Sequence, residues 1–162
     1  GFLAVIEEEG TDNIANNMNA AGTLEALARA DAAYGVMLEY VEANPDTLLV
    51  TAADSDAGGL QVITGSAAPE GGAVAASTRG GGILHGQQGA FGDVFMSAPD
   101  QFGVSHPFGI SFVGYDDVAG GILVRAAGFN ADLVEPLMDN TDVYAVMYET
   151  LFGHAPGERP AD

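Results

Sequence analysis

Residues 47–59 read Thr47-Leu48-Leu49-Val50-Thr51-Ala52-Ala53-Asp54-Ser55-Asp56-Ala57-Gly58-Gly59. The first six form a short, continuous apolar run, the pattern of a strand buried in a parallel sheet rather than of an alternating, half-exposed one. The run breaks at once into acidic residues and a glycine pair, so the carboxyl end of the strand opens onto Asp54, Ser55 and Asp56. In an open α/β sheet, ligands bind outside the carboxyl ends of the strands. Fold and candidate site are therefore both read outward from here.

Upstream, Asn44-Pro45-Asp46 stops a helix expected over residues 20–43, in which Leu24, Leu27, Tyr34, Leu38 and Val41 fall close to one face. A polar run, Asn13 to Asn19, precedes it. Before that, residues 2–7 read as another continuous apolar strand, ending in Glu7-Glu8-Glu9-Gly10-Thr11-Asp12. Strand, helix and strand with a short return make a βαβ unit with a right-handed crossover. The opening residues lack the basic start and small-residue cleavage site of a signal peptide. A chain that opens inside a buried strand reads as a piece of a longer protein.

Downstream, residues 57–108 change texture. They are rich in Gly, Ala, Ser and Pro, with Gly71-Gly72 and Gly80-Gly81-Gly82. A flexible linker and an ordered insertion of loops and short strands compete here; Phe91, Val94, Phe95, Phe102 and Phe108 favour the insertion. Regular patterning returns at Ile110-Ser111-Phe112-Val113 and at Ile122 to Gly128, the second reading as another buried strand. A last helix is expected over 141–152, capped by Asn140 or Thr141 and closed by Gly153. The expected fold is thus α/β: part of a mostly parallel sheet flanked by helices, with a long loop and short-strand insertion. Its divisions are 1–56 (the βαβ unit), 57–108 (the insertion), 109–153 (further strands and a helix of the same core) and a tail, 154–162.

Of 162 residues, 23 are acidic, and four arginines with no lysine leave a net charge of −19. Nucleic acids and anionic membranes need basic patches, so neither is expected as a partner. No apolar run approaches the roughly 20 residues of a membrane span. The acidic surface suits salty surroundings, a halophilic or marine source, where charge repulsion is screened. Without cysteine, disulfides, thiolate metal sites and cysteine nucleophiles are excluded.

Glu7, Asp12 and Asn16 leave the first strand; Asp54, Ser55 and Asp56 leave the second; Asp116 and Asp117 precede the strand at 122. Carboxylates gathered at one end of a sheet repel unless something positive lies between them. Oxygen-rich sets of this kind suit Mg²⁺, Ca²⁺ or Mn²⁺. The competing reading is that they cap helices and loops at a solvated rim. His85, His106 and His154 show no ligand spacing, and Ser55 has no neighbouring base to make it a nucleophile.

Four stretches, in order, resemble the alkaline phosphatase family. Glu7-Glu8-Glu9-Gly10-Thr11-Asp12 with Asn16 and Ala20-Ala21-Gly22-Thr23 is similar to E-G-x-x-I-D-x-x-x-H and the small-residue helix after it. Val50 to Gly59 is similar to T-A-D-H-E-T-G-G with one residue inserted. Ile122 to Ala131 resembles V-P-V-F-A-Y-G-P-G-A, and Met138 to Tyr144 resembles Y-D-N-T-E-I-F. The resemblance covers residues 2–59 and 120–153. It implies metal ligation by Glu7, Asp12 and Asp54. The family's three histidine ligands fall at Asn16, Ser55 and, nearest, Asp117. Imidazole suits zinc, and these replacements offer oxygen only, so Mg, Ca or Mn is expected before Zn.

The resemblance further implies a metal-dependent phosphatase acting on phosphate esters through a phospho-enzyme intermediate, working in the periplasm or outside the cell. Its nucleophile would lie in an N-terminal half that precedes this stretch, so this chain alone is expected to be inactive. Association with that half, or with itself, is expected. The alternative is a non-catalytic divalent-cation-binding or interaction module on the same scaffold.

Overall fold

The computed structural model describes residues 1–64, 84–85 and 95–158. Phe91, Val94, both glycine runs of the expected insertion and the end of the tail lie outside the described residues. The described chain mixes α-helices with small antiparallel sheets, and it divides into two compact units.

One unit comprises Glu8–Arg29 and Ser55–Gly121. Its first element is α1 (Gly10–Asn16), which takes in most of the polar run. The carboxylate of Glu8 starts this helix: Oε2 accepts from the Thr11 N–H at 2.9 Å, and Oε1 accepts from Arg29 Nη2 at 2.8 Å. The Arg29 guanidinium, aided by the Thr11 bond, holds the Glu8 carboxyl below its ordinary pKa against a smaller opposing effect of burial. Next comes the start of α2 (Ala20–Ala43), as the periodicity predicts; from Ala30 on, the helix belongs to the other unit. Asn19 begins it, its Oδ1 accepting from the Gly22 N–H at 3.1 Å.

The strands of this unit are β2 (Asp56–Ala57), β3 (Gln61–Thr64), β4 (Leu84–His85), β5 (Phe95–Met96), β6 (Pro107–Ser111) and β7 (Asp117–Val118). β6 is the hub, with β3, β4 and β5 all antiparallel to it. β2 and β7 pair separately and antiparallel, with Asp56 opposite Val118 and Ala57 opposite Asp117. The core of the unit sits where α1 and the start of α2 meet these strands. Ala15, Met18 and Ala20 pack with Ile110 and Phe112, which are only 1% and 2% exposed. Phe95 and Phe108 stack beside them, ring centroids 5.4 Å apart.

The other unit comprises Gly1–Glu7, Ala30–Asp54 and Ile122–Asp162. Its strands are β1 (Leu48–Thr51) and β8 (Arg125–Gly128), antiparallel, with Leu48 opposite Gly128 and Thr51 opposite Arg125; the buried strand expected over 122–128 is thus only its last four residues, exposed at both ends, and Leu123 before them is exposed. Gly128 is required at that corner. It holds φ = +89°, and a Cβ there would run into the Thr47 carbonyl and Val41. A 3₁₀ turn (Ala131–Leu133) leads to α3 (Asn140–Phe152). Tyr144, Tyr148 and Phe152, four residues apart, line up along α3 as a run of ring contacts.

Three expectations are corrected. Residues 2–7 form no strand; Phe2, Leu3, Val5 and Ile6 are exposed, and Phe2 meets Tyr40 edge-on. An apolar run becomes a strand only when another strand takes up its backbone N–H and C=O groups, and no described strand lies beside this one. The buried parallel strand expected at 47–52 is β1, half-buried and paired antiparallel, so the described residues contain no parallel βαβ pairing. The α3 cap is Asp139. Its side chain accepts from the Thr141 N–H while Asp142 Oδ2 accepts from the Asp139 N–H, a reciprocal capping box. Gly153 closes the helix at φ = +76°, as expected.

Candidate functional site

The residues singled out in the sequence divide between the units. Glu7 and Asp54 belong to one, and both are exposed. Asp12, Asn16, Ser55 and Asp117 belong to the other.

Three of these last four meet. Asp12 and Asn16 are one turn apart in α1, so their side chains lie on one face. Asn16 Nδ2 donates to Asp12 Oδ1 at 2.6 Å and to Asp117 Oδ1 at 2.8 Å. A carboxamide nitrogen carries two hydrogens, one for each carboxylate. The oxygen is used as well: Asn16 Oδ1 accepts from the Gly58 N–H at 2.7 Å. That bond also settles which end of the amide is which, because a backbone N–H must face an oxygen. Asn16 and Asp117 are 101 positions apart in the chain. Ser55 is half-buried in the same unit.

Backbone geometry sets up the meeting. Antiparallel pairing of β2 with β7 puts Asp117 opposite Ala57, next to Gly58. Gly58 and Gly59 follow at φ = +65° and +57°, turning the chain sharply as it leaves β2. A Cβ on Gly58 would stand 2.5 Å from the Ala15 carbonyl oxygen and 3.0 Å from Phe112 Cδ1, so only glycine fits between α1 and the core ring. The Gly58 carbonyl accepts from the Val113 N–H at 2.8 Å. One peptide thus links α1 to the segment that follows β6. Sequence reading noticed the Gly58-Gly59 pair only as part of a motif; the binding role of the Gly58 N–H lies in the backbone, where no side chain advertises it.

Two carboxylates drawn together repel unless donors or a cation lie between them. Here the Asn16 amide supplies the donors, and hydrogen bonds to ionised acceptors are the strong ones. Among the described residues no three His, Asp or Glu side chains gather into a metal-holding group. The oxygen donors at hand are Asp12, Asp117 and the amide oxygen of Asn16, a set that suits a hard cation rather than zinc. As Asn16 is now turned, it aims N–H groups, not oxygen, at the space between the carboxylates.

A second polar network lies in the same unit, at the turn between β5 and β6. Asp100 Oδ1 accepts from the N–H groups of Phe102 and Val104 at 2.8 and 3.0 Å, and Oδ2 pairs with His106 Nε2 at 2.9 Å. The His106 bond first, then the two backbone donors, hold the Asp100 carboxyl below its ordinary pKa. His154 is placed differently, its Nδ1 donating to the Ala155 carbonyl and its ring edge-on to Tyr148. The side chain of His85 lies outside the described residues. Among the described residues no helix is long and apolar enough to cross a membrane. Compared with known proteins, the chain matches no family model, no curated protein and no solved structure.

Proposed function

We propose that this chain is a C-terminal portion of a metal-dependent phosphatase of the alkaline phosphatase type, exported to the periplasm or beyond, that hydrolyses phosphomonoesters through a phospho-enzyme intermediate. The reading rests on the four ordered motifs and on one structural observation. Asp12, Asn16 and Asp117, three positions the resemblance assigns to metal ligands, are gathered by a single carboxamide across 101 residues of chain.

In this proposal Asp12 and Asp117 would hold a hard divalent cation, Mg²⁺, Ca²⁺ or Mn²⁺, with Asn16. The cation would supply charge stabilisation for a phosphoryl group in transfer. The chain's own residues hold that charge in place: α1 and the β2–β7 pair carry the carboxylates, and the Gly58 turn keys them to the Phe112 core. The nucleophile and the phosphate clamp belong to sequence N-terminal to this stretch. The finer architecture proposed for the parent, a mostly parallel sheet flanked by helices, requires strands from that sequence too.

A second reading, a non-catalytic cation-binding or interaction module, is favoured by the complete use of the Asn16 amide in hydrogen bonds that need no cation. Elemental analysis of the chain, with phosphatase assays in the presence and absence of the N-terminal half, separates the two. Bound Ca, Mg or Mn with hydrolysis only when both halves are present supports the phosphatase. Stoichiometric metal without hydrolysis selects the module.

A further inference from the structure

We infer that a groove beside α3 docks a basic, amphipathic segment of a partner protein, which seats an apolar side chain in the groove and sets lysine or arginine against its carboxylates. The groove lies wholly within the unit that holds α3 and shares no residue with the Asp12, Asn16 and Asp117 cluster.

Helical spacing builds one wall. Asp142, Ala145, Val146 and Glu149 fall at successive turns of α3, so they share a face. The chain that enters α3 from the 3₁₀ turn supplies the other wall, with Glu135, Leu137 and Met138. These residues line a groove of about 270 Å³. Val146 is buried, whereas Leu137 is 93% exposed. An isolated exposed leucine is ordinary. One that borders a groove lined by other apolar side chains extends an apolar surface that a partner can cover.

Charge selects the occupant. Glu135, Asp142 and Glu149 line the groove, and among the described residues no lysine, arginine or histidine does. Asp142 is partly engaged, its Oδ2 accepting from the Asp139 N–H at 2.8 Å. The side chains of Glu135 and Glu149 make no hydrogen bond or ion pair among the described residues. A metal ion gains nothing from apolar walls, and a neutral apolar group leaves the carboxylates unmatched. A lysine or arginine side chain meets both, with its alkyl stem on the walls and its charged head at the rim. Asp142 and Glu149 stand about 10 Å apart along the helix axis. One basic residue does not reach both, whereas a segment with basic residues on either side of an apolar one does, as amphipathic helices do in grooves. The net charge of −19 disfavours an acidic occupant, a second copy of this chain included.

A synthetic peptide of leucine and lysine at helical spacing, titrated into the full chain, tests this by calorimetry and nitrogen-15 NMR. The amide shifts should centre on the stretch from Leu133 to Glu149. Leu137→Ala should weaken binding roughly 5-fold at unchanged melting temperature, because so exposed a side chain has little packing to lose. Glu135→Gln with Glu149→Gln should weaken it roughly 5-fold at low salt and far less at high salt. Asp31→Asn with Glu39→Gln removes the same charge from exposed positions of α2 and should change affinity less than about 2-fold. Equal losses from the two charge pairs overturn the groove, since the attraction would then be diffuse. Unchanged affinity in Leu137→Ala overturns it too, as does a peptide that fails to bind. Dimerisation of the chain that Leu137→Ala abolishes would make a second copy the occupant, and the basic partner would fall.

Discussion

Two aspartate networks in one structural unit show how similar bonds carry different weight. At the β5–β6 turn, Asp100 gathers Phe102, Val104 and His106, all within six residues. Around Asn16, a similar number of bonds draws together α1, the Gly58 turn and β7, from positions up to 101 residues apart. The first network shapes a turn that its own sequence already favours. The second closes a long loop of chain, and that closure stands only because hydrophobic packing has already met its entropy cost. Phe112 lies against the Gly58 turn, in the cluster that also holds Ile110. A local network reports on itself, whereas a long-range one reports on the whole unit.

Removing the support is the hardest test of that contrast. Phe112→Ala should cost about 3–5 kcal/mol in denaturant unfolding. Loss of the Asn16 to Asp117 contact should accompany it, while the Asp100 turn keeps its amide protection. If both networks fail together, the distinction drawn between them is wrong. Gly58→Ala strikes the joint rather than the core. A left-handed backbone and a collision with the Ala15 carbonyl should together cost about 2–4 kcal/mol, read as a lower denaturant midpoint at unchanged slope. Asn16→Ala leaves the joint's shape and removes only its bonds. The Gly58 N–H and two carboxylates lose their partner, for about 1–3 kcal/mol.

The smallest effect is expected at Asp100. Folding depresses its pKa, chiefly through His106. The stabilisation is therefore fully present above the carboxylate's ordinary pKa and is lost as pH falls through the depressed folded value. Acid titration by NMR should move the Phe102 and Val104 amides at a pH below that of an ordinary aspartate, with little change in overall melting. Asp100→Asn should abolish that titration. A large drop in global stability on this substitution would show that the turn does more than hold itself.

The same division by distance explains what was legible in the residues alone. The helix over 20–43 and the Gly153 stop of the last helix follow from short-range patterning and are found as expected. The helix α1, whose turn puts Asp12 and Asn16 on one face, is not among the expected elements, because the polar run from Asn13 carries no apolar stripe. Residues 2–7 show where such patterning fails. Their apolar run predicts a buried strand, yet no described strand lies beside them. The antiparallel direction of the β1 pairing is not visible in the residues for a related reason. Leu48 to Thr51 say that a strand forms, but they do not say that Arg125–Gly128 will run against it.

What this sequence determines by itself is its acidity, its freedom from thiol chemistry, the existence of its long helices and the residue types from which an oxygen-ligand site would be built. Each of these is a property of composition or of neighbours within a helical turn. Only the tertiary structure decided that Asp117 would join Asp12, that one amide would bridge them, and that a glycine N–H would lock the amide's orientation. The physical reason is that a contact across 101 residues depends on loop closure, strand register and core packing at once, and none of the three is written in the residues that finally touch.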